Sequence, residues 1–229
     1  MAVNASREEW KIQHGVFDQF TLRVIEKLRG QQHFDQLKGA LALGKEANVF
    51  TAHAQEPVVV KIYRLENRDF HQMIRYLMAD PRFMHMKKRK REIVFAWAQR
   101  EYRNLLLARE VIPVPKPVTH FKNVLVMEQI GDPAPKLKDA PPKDPEKFFK
   151  TICLYMKKLY AHNMVHGDLS EFNILNYNEQ PIFIDFSQAS RVTAPDAQEL
   201  WERDKKNIIS AAKKVGVTLT EEDFRPNGF

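Results

Sequence analysis

Apolar residues change their period several times along this chain, and each change predicts an element. Over residues 18–29, Leu22, Ile25 and Leu28 share one helical face and Gly30 stands as the stop. Ser6-Arg7-Glu8-Glu9 has the form of a capping box, so an earlier helix is expected to start there. Residues 49–52 and 58–63 read as strands around a Gln55-Glu56-Pro57 turn. Helical spacing returns over 92–110, where Ile93, Trp97, Glu101 and Leu105 recur every four residues, ending before Pro113. Residues 124–128 form another predicted strand, and 131–145, rich in proline and polar residues, read as a connection. A helix is expected over 148–162. Two short apolar runs, Ile174-Leu175-Asn176 and Ile182-Phe183-Ile184, predict a hairpin across a turn at 177–181. A last helix is expected over 196–215, with Pro195 near its first position.

Strands come early and helices dominate later, which predicts an α+β chain in two lobes. The expected division is an N-terminal helical extension over 1–36, an N-lobe over 37–130 with a flexible basic insert at 64–91, and a mainly helical C-lobe over 131–229. There is no internal repeat. The single cysteine, Cys153, lies in an apolar helical pattern and excludes an intrachain disulfide. It reads as a small buried hydrophobe in a reducing, cytoplasmic setting. No apolar run nears the roughly 20 residues of a membrane span, and residues 1–10 lack a signal-peptide core.

Net charge is +7, and it is local: residues 61–110 hold 13 Lys/Arg against 6 Asp/Glu, so the remainder is balanced. At the centre lies Lys87-Lys88-Arg89-Lys90-Arg91, either an electrostatic patch for RNA or a ribosomal particle, or a solvated loop without a partner.

The chemistry concentrates in His166-Gly167-Asp168-Leu169-Ser170-Glu171-Phe172-Asn173 and Ile184-Asp185-Phe186. An Asp, an Asn five residues on and a second Asp seventeen after the first is the layout of a phosphotransferase catalytic loop followed by a metal-binding carboxylate. Asp168 is the candidate base, while Asn173 and Asp185 offer hard oxygens to Mg²⁺. The predicted hairpin would bring Asn173 and Asp185 together. The bland alternative is a polar turn beside a strand end.

Lys61, in an apolar strand, is either a cation held over a phosphate or a residue pointing to solvent. Glu101 weighs on that choice. It lies on an apolar helical stripe, where a carboxylate is costly unless paired, so a Lys61–Glu101 pair is expected, unless Glu101 reaches solvent at the stripe's edge. Leu43-Gly44-Lys45-Glu46-Ala47-Asn48-Val49-Phe50 stands where a kinase carries its glycine-rich loop but has one glycine, leaving turn amides, Lys45 and Asn48 as candidate phosphate contacts. Residues 127–131 are placed like a kinase hinge, with main-chain groups of Glu128 and Ile130 as candidates for adenine.

Taken together, the Gly44–Phe50, His166–Asn173 and Ile184-Asp185-Phe186-Ser187-Gln188 motifs resemble the RIO family of atypical serine/threonine-protein kinases, over about residues 37–215. The 36 residues before the match are too short for the winged-helix domain of the second RIO branch, and Gly-Lys-Glu-Ala-Asn suits the first. The compact chain looks archaeal. The resemblance implies a trimmed two-lobed kinase fold without activation segment or peptide-binding subdomain. It implies ATP with Mg²⁺ or Mn²⁺, and work on the small ribosomal subunit precursor or its proteins. It places Lys61 on the phosphates and Glu101 against it. Asp168 becomes the catalytic residue, and Asn173 and Asp185 the metal ligands. Ser170 stands where conventional kinases carry a lysine, and Asp185 becomes a candidate phospho-acceptor. Gly167 replaces the arginine of a conventional His-Arg-Asp, so control by a phosphorylated activation loop is not expected. The 40-residue step from Lys61 to Glu101 holds a family insert, with rRNA contact through 87–91 as its candidate role.

Two other readings use the same loop. A small-molecule kinase of the aminoglycoside or choline type also carries His-Gly-Asp, but usually has a histidine two after the Asp, where this chain has Ser170, and a larger helical region after the second Asp. An ATP-gated assembly factor would need the same residues throughout.

Overall fold

The computed structural model describes residues 17–66, 70–87 and 89–225. The capping box at 6–9 and Lys88 of the basic run lie outside them. In chain order the elements are α1 (Gln19–Gly30), β1 (Leu37–Leu43), β2 (Ala47–His53), β3 (Pro57–Tyr63), α2 (Phe70–Met78), α3 (Lys90–Ala108), β4 (Pro117–Phe121) and β5 (Val124–Glu128). After a connector come α4 (Pro145–Ala161), β6 (Met164–Val165), β7 (Ile174–Tyr177), β8 (Gln180–Phe183), a 3-10 turn (Phe186–Gln188), β9 (Ser190–Arg191), α5 (Ala197–Lys214) and α6 (Glu221–Phe224).

The N-lobe is an antiparallel sheet in the order β1-β2-β3-β5-β4. Alternation along β3 divides its two faces. Val58, Val60 and Ile62 join Phe50 and Val126 in an outer core closed by Val24, Ile25 and Leu28 of α1. Lys61 and Tyr63, with Val59, face the interlobe cleft. The helix at 19–30 is therefore part of the N-lobe core rather than an extension. Asp18 starts it as N-cap, accepting from the N–H groups of Phe20 and Thr21 at 2.9 and 3.0 Å. Asn123 clamps it to the sheet: buried Nδ2 donates to Thr21 Oγ1 at 3.0 Å and to Tyr63 O at 2.9 Å.

β1 and β4 were not predicted. Both are edge strands, and only the first residue of β1 is buried, so the sheet imposes no alternation on its sequence. The stretch expected to be a flexible insert contains α2, whose buried Met73, Tyr76 and Leu77 pack on α3. The expected five-residue hairpin turn is tighter. β7 and β8 pair from Ile174↔Phe183 to Tyr177↔Gln180, leaving Asn178 and Glu179, both at positive φ, as a two-residue loop.

The C-lobe packs around α4, whose Ile152, Cys153, Met156 and Leu159 are buried. Burial pushes the Cys153 thiol up to about 12, so it is no nucleophile at neutral pH. The connector is laid against β7, with Leu137 N–H to Ile174 O at 2.8 Å and Asn176 N–H to Pro135 O at 2.9 Å. Among the described residues no helix is long and apolar enough to cross a membrane.

Asn123→Ala removes both donors of the clamp and leaves the buried Tyr63 carbonyl without its side-chain partner. Urea unfolding is expected to show a loss of about 1–3 kcal/mol. An unchanged midpoint would mean that α1 is held by apolar contact alone.

Candidate active site

A cleft of about 710 Å³ separates the lobes, and Lys61, Glu101, Asp168, Asn173 and Asp185 all line it. Lys61, on β3, is buried. Its ammonium lies 3.0 Å from Glu101 Oε1 and 2.9 Å from Asp185 Oδ1. Glu101 is fully buried on α3, on the predicted stripe, and also accepts a hydrogen bond from Tyr63 Oη. Burial favours the neutral form of each group, and charge pairing opposes it. For Lys61 the two carboxylates prevail over burial and hold its pKa above the ordinary value. For Asp185, Lys61 and the Ser187 hydroxyl, 2.8 Å from Oδ1, prevail and hold the carboxyl at about 2. For Glu101 burial prevails and its pKa is raised despite Lys61.

The loop at residues 166–169 is held from behind by α5. Asp204 Oδ2 accepts from Gly167 N–H at 2.7 Å, and Oδ1 from Leu169 N–H at 2.8 Å. Burial pushes this carboxyl up to about 7, against those two donors. Asn207 Nδ2 donates to Leu169 O at 3.0 Å, and Arg203 donates to Gly167 O. Gly167 itself has φ +79°, and a Cβ there would meet Gln188 O at 2.9 Å. No side chain fits, which is the physical reason a conventional arginine is missing.

His166 fixes the step to the Asp185 loop. Its Nδ1 accepts from Asp168 N–H at 3.3 Å, so Nε2 carries the proton and donates to Ile184 O at 3.0 Å. Burial drops its pKa to about 4 and keeps the ring neutral. Asn173 Nδ2 donates to Asp168 O at 2.8 Å and to Oδ2 at 3.2 Å, orienting the Asp168 carboxyl. Burial and the nearby Asp185 raise the Asp168 pKa. Ile184 N–H donates to Asn173 O at 3.0 Å, so the hairpin brings Asn173 and Asp185 together as expected.

Asp185 adopts a left-handed backbone, φ 64°, ψ 68°. Such a conformation costs a non-glycine residue roughly 1–3 kcal/mol unless its surroundings impose it. The segment that follows is gripped by α3. Asn104 Nδ2 donates to Phe186 O and Ala189 O at 2.9 and 3.0 Å, and Arg100 donates to Ser187 O and, at 3.1 Å, to Ser190 Oγ.

The donor set suits a hard cation. Asn173 Oδ1 and Asp185 Oδ2 carry no protein hydrogen bond among the described residues, and both side chains line the cleft. No group of three or more His, Cys, Asp or Glu that could hold a metal occurs among the described residues. Mg²⁺ at such a site would complete its shell with phosphate oxygens and water.

Other expected contacts are only partly in place. Lys45 lines the cleft mouth, and the Gly44 turn is tight, with its N–H 3.0 Å from Ala47 O. Asn48 is a correction: it pairs across the sheet with Ile62, on the face turned to α1, and does not line the cleft. The one-residue offset from Val49, which does line it, sends the two side chains to opposite faces. Ser170 also lies off the cleft lining, its Oγ accepting from Phe172 N–H at 3.4 Å. At the hinge, Glu128 N–H is committed to Lys116 O at 2.8 Å, which leaves its carbonyl for a base, while Ile130 N–H has no partner among the described residues.

Sequence reading missed Tyr63, Arg100, Asn104 and Asp204. For Asp204 the signal existed: it stands four residues from Leu200 and from Ile208 on the buried stripe of α5, the same anomaly that exposed Glu101.

The fold and cleft define a trimmed protein-kinase-like phosphotransferase. The chain belongs to the RIO family: the family described as "RIO1: RIO domain" matches residues 48–225. The RIO-type serine/threonine-protein kinase Rio1 of Methanocaldococcus jannaschii is 42% identical over 222 residues, 95% of this chain and 77% of that protein. Its namesake in Haloferax volcanii is 37% identical, covering 91% and 74%. Both are archaeal, consistent with the resemblance. The serine/threonine-protein kinase RIO1 of Saccharomyces cerevisiae is 31% identical, covering 90% of this chain but 50% of its own length. Among solved structures, Rio2 kinase from Chaetomium thermophilum has a TM-score of 0.69 at 20% identity. The match covers 87% of this chain and 65% of that one, and shows the shared fold. The chain is thus an atypical serine/threonine-protein kinase by family.

Two predictions follow from the loop contacts. Asp204→Ala leaves two buried N–H groups unpaired, and the unfolding free energy is expected to fall by about 2–5 kcal/mol; a loss near zero would mean that water replaces the carboxylate. The second concerns pH. His166 has its folded pKa at about 4, below its ordinary 6.5, so its contribution to stability is complete above 6.5 and is lost as pH falls toward 4. Urea-unfolding free energy should therefore fall less between pH 6.5 and 4 in His166→Gln than in wild type. Parallel curves would count against a neutral, buried ring.

Proposed function

We propose that this chain transfers the γ-phosphoryl group of ATP, with Mg²⁺ or Mn²⁺, to serine or threonine hydroxyls, and that it acts on the small ribosomal subunit precursor or its proteins in a cytoplasmic setting. The observation that carries the chemistry is the arrangement in one cleft of an oriented carboxyl, Asp168, with an amide–carboxylate pair, Asn173 and Asp185, and a buried ammonium, Lys61.

The roles follow from position. Adenine would lie at the hinge, its amino group donating to Glu128 O and a ring nitrogen accepting from Ile130 N–H. Lys61, oriented by Glu101, would meet the phosphates. Asp168 would accept the proton of the attacking hydroxyl as that oxygen bonds to phosphorus and the bond to the ADP leaving oxygen breaks. Its raised pKa suits a group that must take up a proton and release it. A divalent cation at Asn173 and Asp185 would neutralise charge on the phosphates.

Two features support an anionic partner. Lys87, Arg89, Lys90 and Arg91 are exposed, and the last two sit in the first turn of α3. Cations there oppose the helix dipole, at about 0.3–1 kcal/mol each. Lys90 and Arg91 also lie over the Phe70 and Phe20 rings; the exposed run as a whole supports a partner rich in phosphate, rRNA in the proposed setting.

A second reading takes Asp185 as the phospho-acceptor in an ATPase cycle that times release of the particle. The Rio2 kinase of Chaetomium thermophilum was solved as an ADP/Mg²⁺-phosphoaspartate complex. Here the unengaged Asp185 oxygen faces the same cleft as Asp168.

With γ-labelled ATP and Mg²⁺, Asp168→Ala should lower label transfer and phosphate release by about 10²–10⁴-fold. Acid-stable label would indicate Ser/Thr phosphate, acid-labile label an aspartyl phosphate. Equal activity in wild type and variant would remove Asp168 from the chemistry.

A further inference from the structure

We infer that Arg100 and Asn104, together with Asp80 and Arg82 of the insert, are positioning residues for Asp185, so that the insert helps to set cation affinity. This deepens the function proposed above and rests on Asp185 being a metal ligand.

The argument starts from Asp185's left-handed backbone. An Asp tolerates that conformation better than most residues, and the Ser187 hydroxyl on Oδ1 supports it locally, but the course of the backbone beyond it is held from α3. Four acceptors within Phe186–Ser190 are taken by Arg100 and Asn104, one helical turn apart on α3 and both almost wholly buried. A buried guanidinium needs a counter-charge. It comes from the insert: Asp80 Oδ2 lies 3.4 Å from Arg100 Nε. Asp80 is itself held by the Arg82 fork, with Arg82 Nε 2.9 Å from Oδ1 and its terminal nitrogen 2.6 Å from Oδ2.

Arg82 does a second thing. The same terminal nitrogen donates to Asn104 Oδ1 at 2.7 Å. A guanidinium has donors only, so it fixes which end of the Asn104 amide faces it. The other end, Nδ2, must then point at Phe186 O and Ala189 O. Without Arg82 the amide can turn over and present oxygen to those carbonyls. The insert adds a third tie, Tyr76 Oη to Gln188 Oε1 at 2.9 Å.

The consequence is read at one atom. Lys61 and Ser187 both engage Asp185 Oδ1, which leaves Oδ2 for the cation. If the backbone relaxes, Oδ2 swings off that line while the hinge, on β5 and beyond, is untouched. Cation affinity should fall before nucleotide affinity does.

The test needs no turnover. Mn²⁺ binding to the full chain in the presence of ADP is measured by the resonance signal of free Mn²⁺, and ADP binding is measured separately without metal. Arg82→Ala is the chief variant, because its side chain is one-fifth exposed and its loss spares the core. Asn104→Ala is the second. Both should weaken Mn²⁺ about 10-fold with metal-free ADP binding unchanged. Unchanged Mn²⁺ affinity in Arg82→Ala overturns the inference, as does equal weakening of Mn²⁺ and metal-free ADP, which would mean general disorder of the cleft. Asp185→Ala separates the two levels: if it binds Mn²⁺ as wild type does, the assignment of Asp185 as ligand fails, whatever Arg82 shows.

Discussion

A lysine ammonium buried between two carboxylates is the contact on which this molecule turns. Lys61 belongs to the sheet, Glu101 to α3 and Asp185 to the loop after β8, so one cation joins three elements far apart in sequence. Such a cluster is poor as a source of stability, since dehydrating three charges consumes most of the attraction between them. Its strength lies in what it forbids. Removing the ammonium leaves two carboxylates without their counter-charge, at about 3–5 kcal/mol, so strand, helix and loop hold one arrangement. The same requirement explains why a carboxylate interrupts the apolar stripe of α3.

Much of this was legible in the sequence because the chemistry is local or periodic. Asp168, Asn173 and Asp185 sit at short fixed spacings, and Glu101 betrays itself by standing where a helix should be apolar. Asp204 carried the same signal and was passed over. Arg100 and Asn104 were harder: their partners are backbone carbonyls about 80–90 residues away, and a carbonyl leaves no mark in a sequence. Asn48 shows the opposite failure. It belongs to a motif next to the cleft, yet one step along a strand reverses the side a residue faces.

The fold was legible where burial is one-sided. α1 appeared within a residue or so of its observed bounds, because half its surface is packed and its ends carry caps. β1 is exposed over nearly its whole length and has no pattern to read. α2 was obscured for another reason. Its stretch lies in a charged insert, and charge suggests solvent even where Met73, Tyr76 and Leu77 face inward.

Gly167 carries a consequence for how this protein could be altered by descent. In kinases governed by a phosphorylated loop, an arginine at this place receives the phosphate. Here the Gln188 carbonyl oxygen lies 2.9 Å from where that arginine's first carbon would stand, closer than such a contact allows, and the backbone angle disfavours any side chain. Gaining such a switch would need the residue and the course of the Gln188 backbone to change together, and that backbone is fastened to α3 on both sides, through Ser187 and Ala189. A single substitution would strain the loop at Gly167, so this place is closed to a switch of that kind.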